Sequence, residues 1–248
     1  MLFRSPYAEI GAFEFFGDSG DLTPPRVIDL QPVGLTGDSA TEVDLTSSFA
    51  ALTLSFTEAL NPISAHSPAL YEFVEAGDDG QFDTFDDQVV DLTESMLQYV
   101  FEATDLTIDF GSTLADGRYR LTIFSGPDKA LVDQAGNPLD GDNDGGAEGD
   151  FIRRFNIDTS GPAAALVAPA DNSQITQDDG HVDIEWTDLI GVDDATLGID
   201  DITITGVDVD SIEDRGGGVW RYHYADDGEQ LPAGNVTVST VAGAVADL

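Results

Sequence analysis

The sequence has 248 residues, of which 48 are Asp or Glu and 9 are Lys or Arg, so its formal net charge at pH 7 is −39. This charge excludes nucleic acid as a direct partner, because phosphate backbones are bound by positively charged side chains. Hydrophobic residues make up 41% of the chain and aromatic residues 9%, which indicates a folded core rather than a disordered acidic chain.

Cysteine is absent, which excludes disulfides, thiolate metal sites and catalytic thiols. No apolar run approaches the roughly 20 residues needed to span a bilayer, so we expect no membrane insertion in this segment. The first 20 residues lack the basic region and apolar core of a signal peptide. Export would therefore require a signal upstream of this sequence.

Short β-rich runs, many with period-two alternation, predict strands along the whole chain. Clusters of Gly, Asp, Asn and Pro separate these runs, as turns require. One short helical turn is predicted within residues 61–71. The predicted strands cover residues 26–31, 51–57, 70–75, 96–102, 106–110, 118–124, 151–157, 182–186, 202–206, 219–224 and 235–240. Many short strands with turns between them indicate an all-β protein made of antiparallel β-sandwiches.

An internal repeat divides the chain into two β-domains. A proline pair that brackets an apolar strand occurs at 25 and 32 and again at 162 and 169, each time after an acidic lead-in at 21–25 and 158–162. Residues 114–121 match 231–238, and residues 130–133 match 244–247. We therefore predict homologous domains at 23–160 and 161–248, with 1–22 as the tail of an upstream domain plus a linker. The second copy stops before the counterpart of the last strand of the first, so we expect a piece of a longer polypeptide.

The segment Leu114-Ala-Asp-Gly-Arg-Tyr-Arg-Leu-Thr-Ile, followed by Leu131-Val-Asp-Gln-Ala-Gly-Asn-Pro-Leu, resembles the closing hairpin of bacterial Ig-like domains. These domains occur in tandem in S-layer proteins, adhesins and other large secreted proteins. The resemblance covers 23–160 well and 161–248 more weakly. It implies two tandem Ig-like antiparallel β-sandwiches, the second incomplete, in an extracellular or cell-surface protein.

Residues 8–15, Ala-Glu-Ile-Gly-Ala-Phe-Glu-Phe, are similar to the closing motif of secreted right-handed parallel β-helix proteins. The resemblance implies that residues 1–16 end an upstream β-helix domain. A plain lead-in strand is the alternative interpretation.

Two loops are richer in acidic residues than the rest of the chain. The loop at 140–150 carries carboxylates at alternating positions with Gly at a bend, which suits the oxygen-rich shell of Ca²⁺. It begins like an EF-hand loop, but its twelfth position is Phe151 and neither flank is helical. It looks more like the Asp-rich calcium loops of extracellular β-domains. The predicted ligands are Asp140, Asp142 and Asp144, and the shell would be completed by Glu148, Asp150 or Asp133.

The loop at 77–87 resembles an Asp-rich insertion that recurs in such Ig-like domains. Its candidate calcium ligands are Asp79, Asp83, Asp86 and Asp87. Asp also favours turns through its own hydrogen bonds, so the alternative for both loops is that the carboxylates only shape the turn. Mg²⁺ is expected less than Ca²⁺, because it retains its waters and takes few protein carboxylates.

The sequence gives little support for sites other than these calcium loops. His66, His181 and His223 are scattered in the sequence, so a transition-metal site is not expected. Nucleophile-elbow, phosphate-loop and zinc-helix motifs are absent, and the glycines at 216–218 suggest a hairpin turn. Trp186 is expected to pack in the core. The aromatic row Trp220, Tyr222 and Tyr224 is either a core face or an exposed surface on which a sugar would stack.

The sequence thus predicts no enzyme. It favours a non-catalytic extracellular spacer or adhesion module of a large secreted or cell-surface bacterial protein, stabilised by calcium, with a surface glycan or protein as further partner. The alternative is an accessory region, for spacing or glycan binding, of an extracellular carbohydrate-active enzyme with an upstream β-helix.

Overall fold

A computed structural model describes residues 20–35, 41–224 and 230–248. The proposed β-helix closing motif at 8–15 lies outside these residues. The described chain divides into two compact units. The first comprises the described part of Met1–Val43 together with Phe49–Phe155, and the second comprises Asp44–Ser48 and Asn156–Leu248.

The first nine strands in chain order are β1 (Val27–Gln31), β2 (Val43–Leu45), β3 (Ala51–Phe56), β4 (Tyr71–Glu75), β5 (Gln88–Val90), β6 (Leu97–Tyr99), β7 (Asp105–Asp109), β8 (Gly117–Ile123) and β9 (Phe151–Ile157). They belong to the first unit, except that β2 and β9 continue into residues assigned to the second. One sheet has the order β1-β3-β7-β6 and the other the order β2-β9-β8-β4-β5. These are the strand orders of the two sheets of an immunoglobulin-type sandwich.

The core of the first unit follows from alternation along its strands. In β3, Leu52, Leu54 and Phe56 are buried and the residues between them are not, as expected when one face of a sheet covers a core. Opposite them, the rings of Tyr119 and Phe155 stack at 5.5 Å between centroids.

The predicted helical turn is confirmed as α1 (Pro62–Ala65), which is followed by a 3₁₀ turn at Pro68–Leu70. Asn61 is the N-cap of α1. Its side-chain Oδ1 accepts a hydrogen bond from the backbone N–H of Ile63 at 2.9 Å. A second 3₁₀ turn covers Glu94–Met96.

The second unit contains β10 (Ala163–Ala168), β11 (His181–Thr187), β12 (Ile202–Ile204), β13 (Ser211–Gly216), β14 (Val219–His223) and β15 (Val238–Thr240), with a 3₁₀ turn at Asp194–Thr196. Its larger sheet has the order β10-β11-β14-β13, which repeats the order β1-β3-β7-β6 of the first unit. Its other sheet, in the described residues, pairs β12 with β15. The chain is therefore an all-β protein of two Ig-like sandwiches, as the sequence predicted.

The aromatic row of the second unit belongs to the core. Tyr222 and Tyr224 are buried, and Trp220 is partly buried against the same cluster. Trp186 is also buried, and its Nε1–H donates to the hydroxyl of Tyr222 at 3.0 Å. The core prediction for Trp186 is confirmed, and the row does not form an exposed stacking surface.

Most predicted strands are found within a few residues of their expected ends. The run at 96–102 is an exception, because the strand ends at Tyr99 and a turn follows it. Four strands lie outside the predicted ranges: β2, β5, β13, and β10, which only the second proline pair had bracketed. The hairpin turn predicted at 216–218 is confirmed, since Gly216 pairs with Val219 where β13 meets β14.

Candidate metal centres

The loop between β8 and β9 brings together three residues that the sequence singled out. Each of Asp140, Asp142 and Asp144 offers a carboxylate oxygen within 4.8 Å of the others. The Asp140 side chain is 1% exposed, whereas the other two are open to solvent. A buried carboxylate with two exposed ones beside it presents several oxygens to a hard cation approaching from solvent.

Backbone amides fix the geometry of this loop. Asp140 accepts from the N–H of Asp144 through Oδ1 and from the N–H of Gly145 through Oδ2, both at 3.1 Å. Gly149 has a φ of +87°, and a Cβ at this position would lie 2.6 Å from the carboxylate carbon of Asp142. Glycine is therefore required for the chain to pass this closely over Asp142.

Three further residues were expected to complete this shell. Glu148 is exposed and is not a member of the three-carboxylate group. Asp150 accepts from the backbone N–H of Ser125 at 2.7 Å. Asp133 belongs to a different carboxylate group. Asp140, Asp142 and Asp144 are therefore the predicted ligands whose carboxylates the loop brings together.

In the loop at 77–87, Asp83 forms a bidentate ion pair with Arg120. Both nitrogen–oxygen distances are 3.0 Å, and the hydrogen bonds from Arg120 lower the pKa of Asp83. The Arg120 guanidinium also lies 5.0 Å above the ring centroid of Phe82. Arg120 on β8 therefore holds the loop and occupies the carboxylate of Asp83.

The other predicted ligands of this loop hydrogen-bond within it. Asp86 accepts hydrogen bonds from Thr84 Oγ1 at 2.7 Å and from the backbone N–H of Asp79 at 3.1 Å. Both bonds lower the pKa of Asp86, and the bond from Thr84 has the larger effect. Asp87 accepts from the N–H of Asp83 at 2.8 Å, and Asp79 from that of Gln81 at 2.8 Å. These residues do not form a group of three converging carboxylates within the part of the chain described.

A second group, which was not predicted from the sequence, joins Asp21, Glu58 and Asp133. Asp133 is 1% exposed and accepts from the N–H groups of Gly136 and Asn137 at 2.6 and 2.8 Å. Burial, together with the charges of Asp133 and Asp21, raises the pKa of Glu58 to about 7. The fold thus holds three carboxyl groups together against their mutual repulsion.

A third group, in the second unit, joins Asp158, Asp188 and Asp247. Asp158 is 4% exposed, and the other two are partly buried. The side chain of Asp158 accepts from the N–H of Ser160 at 3.3 Å, and that of Asp188 from the N–H of Ile190 at 3.1 Å.

The second and third groups occupy equivalent places in the repeat. Asp21 and Asp158 each stand four residues before the first proline of its pair. Glu58 and Asp188 each follow a core strand, in the segments Phe-Thr-Glu and Trp-Thr-Asp.

The third members of the two groups match as well. Asp133 and Asp247 end the matched segments 130–133 and 244–247, and each forms an isolated β-bridge with the loop that follows β3 or β11. The sequence repeat already aligned two of the three positions, so it could have revealed these groups.

No family model and no curated protein matches this sequence. Among solved structures, the chain is similar to a chimeric titin Z1Z2 functionalized with a KLER exogenous peptide from decorin. The identity is 10%, the TM-score is 0.19, and the match covers 81% of this chain and 78% of that chain. The class, an Ig-like β-sandwich protein, follows from the strand order.

None of the helices in the described residues combines the length and apolar character that a membrane crossing requires.

Proposed function

We propose that this chain is a non-catalytic spacer or adhesion segment of a large secreted or cell-surface bacterial protein, and that bound Ca²⁺ stabilises its sandwiches. The observation that carries the proposal is the recurrence of a three-carboxylate group at equivalent positions of both units. A catalytic pair of carboxyl groups would be needed once, whereas a structural clip is useful in every repeat.

Each recurrent group connects three separate parts of its own unit. In the first unit these parts are the lead-in to β1, the segment after β3 and the loop after β8. A cation bound there would cross-link segments that are distant in sequence. It would also relieve the carboxylate repulsion that, in addition to burial, raises the pKa of Glu58.

Calcium suits these groups better than magnesium. Ca²⁺ takes about six to eight oxygens in flexible geometry, while Mg²⁺ demands a near-octahedral shell and retains its waters. Extracellular calcium modules bind at about 10⁻⁴–10⁻³ M, so we expect affinities in this range if the chain is exported.

The alternative, an accessory region of an extracellular carbohydrate-active enzyme, retains a spacing role. If this accessory region bound glycans, the aromatic row could not be the binding surface, because Tyr222 and Tyr224 are buried. A glycan or protein partner would have to use another face of the molecule.

The proposal predicts that Ca²⁺ raises the melting temperature of the EDTA-treated protein at constant ionic strength. At a free concentration ten times the dissociation constant, each site adds about 1.4 kcal/mol to the free energy of unfolding. Asp142→Ala should remove the part due to the 140–150 loop, and Glu58→Gln should weaken the part due to the first recurrent group. Calorimetry with and without Ca²⁺ measures both changes.

Asp105→Asn is the matched control, because Asp105 is an exposed acidic residue outside the three carboxylate groups. This variant should keep the full calcium response. A melting temperature that is insensitive to EDTA, or a calcium response that Asp105→Asn reduces as much as the site variants do, would contradict the proposal.

A further inference from the structure

The turn between β6 and β7 exposes apolar side chains to solvent. The N–H of Ala103 donates to the carbonyl oxygen of Val100 at 2.9 Å and closes the turn. The side chains of Val100 and Phe101 are 74% and 56% exposed, and Glu102 has a φ of +65°. Tight turns are usually made of Gly, Asn or Asp. Neither the turn nor the core therefore requires Val100 and Phe101.

The second unit has the equivalent turn without apolar residues. Its strands β13 and β14 have the places that β6 and β7 have in the first unit, and Gly217 and Gly218 connect them. The apolar turn is thus a property of the first unit rather than of the fold. The sequence pattern also failed here, since a strand was predicted through residue 102. Such local conflicts are expected at functional surfaces.

Helix α1 lies beside this turn and exposes a further apolar residue. The N–H of Leu60 donates to the hydroxyl of Tyr99 at 2.8 Å, and this hydroxyl donates to the carbonyl oxygen of Ala103 at 2.7 Å. One buried phenol therefore joins the segment before α1 to the turn after β6. Ile63 in α1 is 80% exposed. The exposed apolar residues of these two adjoining segments, here called the apolar end face, are Ile63, Val100 and Phe101.

The chain enters the first unit at the same end. The carboxylate of Asp21 lies with that of Glu58, and Glu58 is in the segment that connects β3 to α1. An extended chain advances about 3.3–3.6 Å per residue, so residues 13–16, five to eight positions before Asp21, can reach about 17–29 Å from it. The apolar end face is therefore within reach of the residues that precede Gly20.

Residues 1–16 have a composition that suits an apolar surface. They contain four of the 14 Phe of the chain and only two of its 48 acidic residues. Burying such side chains against an apolar face is favourable. A second copy of the chain is a poorer occupant, because it would bring another net charge of −39 to the face. A segment of the same chain avoids this repulsion and has a high effective concentration.

We propose that the apolar end face is a docking surface for residues 1–16 of the same chain, with Phe13, Phe15 and Phe16 as the contacting side chains. This contact would fix the direction in which the chain enters the first sandwich. If residues 1–16 end an upstream domain, as their sequence resemblance implies, it would join that domain to the sandwich. The contact is apolar and needs no bound calcium, so it goes beyond the proposed function.

Hydroxyl-radical footprinting of the whole chain, followed by mass spectrometry, tests the proposal. Phe85 is the internal standard, because its side chain is 99% exposed and its loop follows β4 at the end of that strand opposite to α1. The side chains of Phe13, Phe15 and Phe16 should be oxidised several-fold more slowly than that of Phe85. Oxidation as fast as at Phe85 would overturn the proposal in the wild-type protein alone.

A double variant shows where the segment binds. Val100→Asn with Phe101→Asn removes apolar area without adding charge, and Asn is favourable in turns. The three phenylalanines should then be oxidised several-fold faster than in the wild type. Val89→Asn is the matched control, because it replaces an exposed apolar residue on β5 and should leave the protection unchanged.

Two results would assign the contact differently and overturn the proposal. Protection that survives the double variant would place residues 1–16 on another surface. Protection that increases with protein concentration would make a second copy of the chain the occupant, since an intramolecular contact is independent of concentration.

Discussion

The carboxyl of Glu58 lies with those of Asp21 and Asp133, and burial with these two charges raises its pKa from 4.5 to about 7. Between these two values the folded state binds more protons at this group than the unfolded state does. The free energy of unfolding therefore falls as pH rises from about 4.5 to about 7. Ca²⁺ would reverse this loss by favouring the ionised carboxylate.

We predict that Glu58→Gln flattens this part of the pH dependence in the metal-free protein, because the amide does not ionise. Chemical denaturation across this pH range, in the presence of EDTA, measures the effect. Glu94→Gln, at an exposed position, should leave the slope as in the wild type. A wild-type slope retained in Glu58→Gln would assign the pH dependence to other groups.

At the level of single residues, the sequence indicated acidic loops but could not indicate which carboxylates meet. Asp140, Asp142 and Asp144 converge because they share one tight loop, so their spacing was informative. Asp83 lies in a similar loop, but its partner is Arg120, which strand pairing brings to it from 37 positions away. Such contacts depend on register, which a local pattern does not contain.

At the level of elements, three parts of the second unit are connected by one buried hydrogen-bond chain. Trp186 Nε1 on β11 donates to the Tyr222 hydroxyl on β14, which donates to Asp201 Oδ2 at 3.1 Å. Asp201 is 1% exposed and also accepts from the N–H of Gly198 at 2.8 Å.

We predict that Tyr222→Phe lowers the free energy of unfolding of the second unit by about 1–3 kcal/mol, because it leaves the buried Trp186 donor without its partner. Urea denaturation followed by tryptophan fluorescence measures this loss. Adding Trp186→Phe to Tyr222→Phe should cost less than the sum of the two single changes. Additive losses would show that the hydrogen bond contributes little.

The strands that sequence patterns missed have a common position in the fold. β2, β5, β10 and β13 are all edge strands of their sheets. They are short or largely exposed, so no alternating apolar pattern marks them. The strands with a buried face, such as β3 and β11, were predicted well because alternation is a direct consequence of that burial.

At the level of the whole molecule, the net charge of −39 makes the carboxylates repel one another throughout the fold. Mutual repulsion of carboxylates favours expanded states, and salt screens it over a Debye length that falls from about 10 Å at 0.1 M to about 3 Å at 1 M.

We therefore predict that NaCl alone raises the melting temperature at pH 7, in EDTA and without any divalent ion. The same series near the isoelectric point of about 4.1 is the control, and there the increase should be much smaller because net repulsion has vanished. Equal increases at both pH values would point to a salt effect on apolar burial instead. Thermal melts followed by circular dichroism measure both series.

The edge strands carry a further consequence for behaviour in acid. β13 exposes Glu213 and Asp214, and β5 is flanked by Asp87 and Asp91. In many proteins, lysines on edge strands prevent these strands from pairing with another molecule. Lys129 is the only lysine of this sequence, so carboxylates provide this protection here. Acid that protonates them in the folded protein would remove this protection. Acid would therefore turn native molecules into templates for edge-to-edge aggregation.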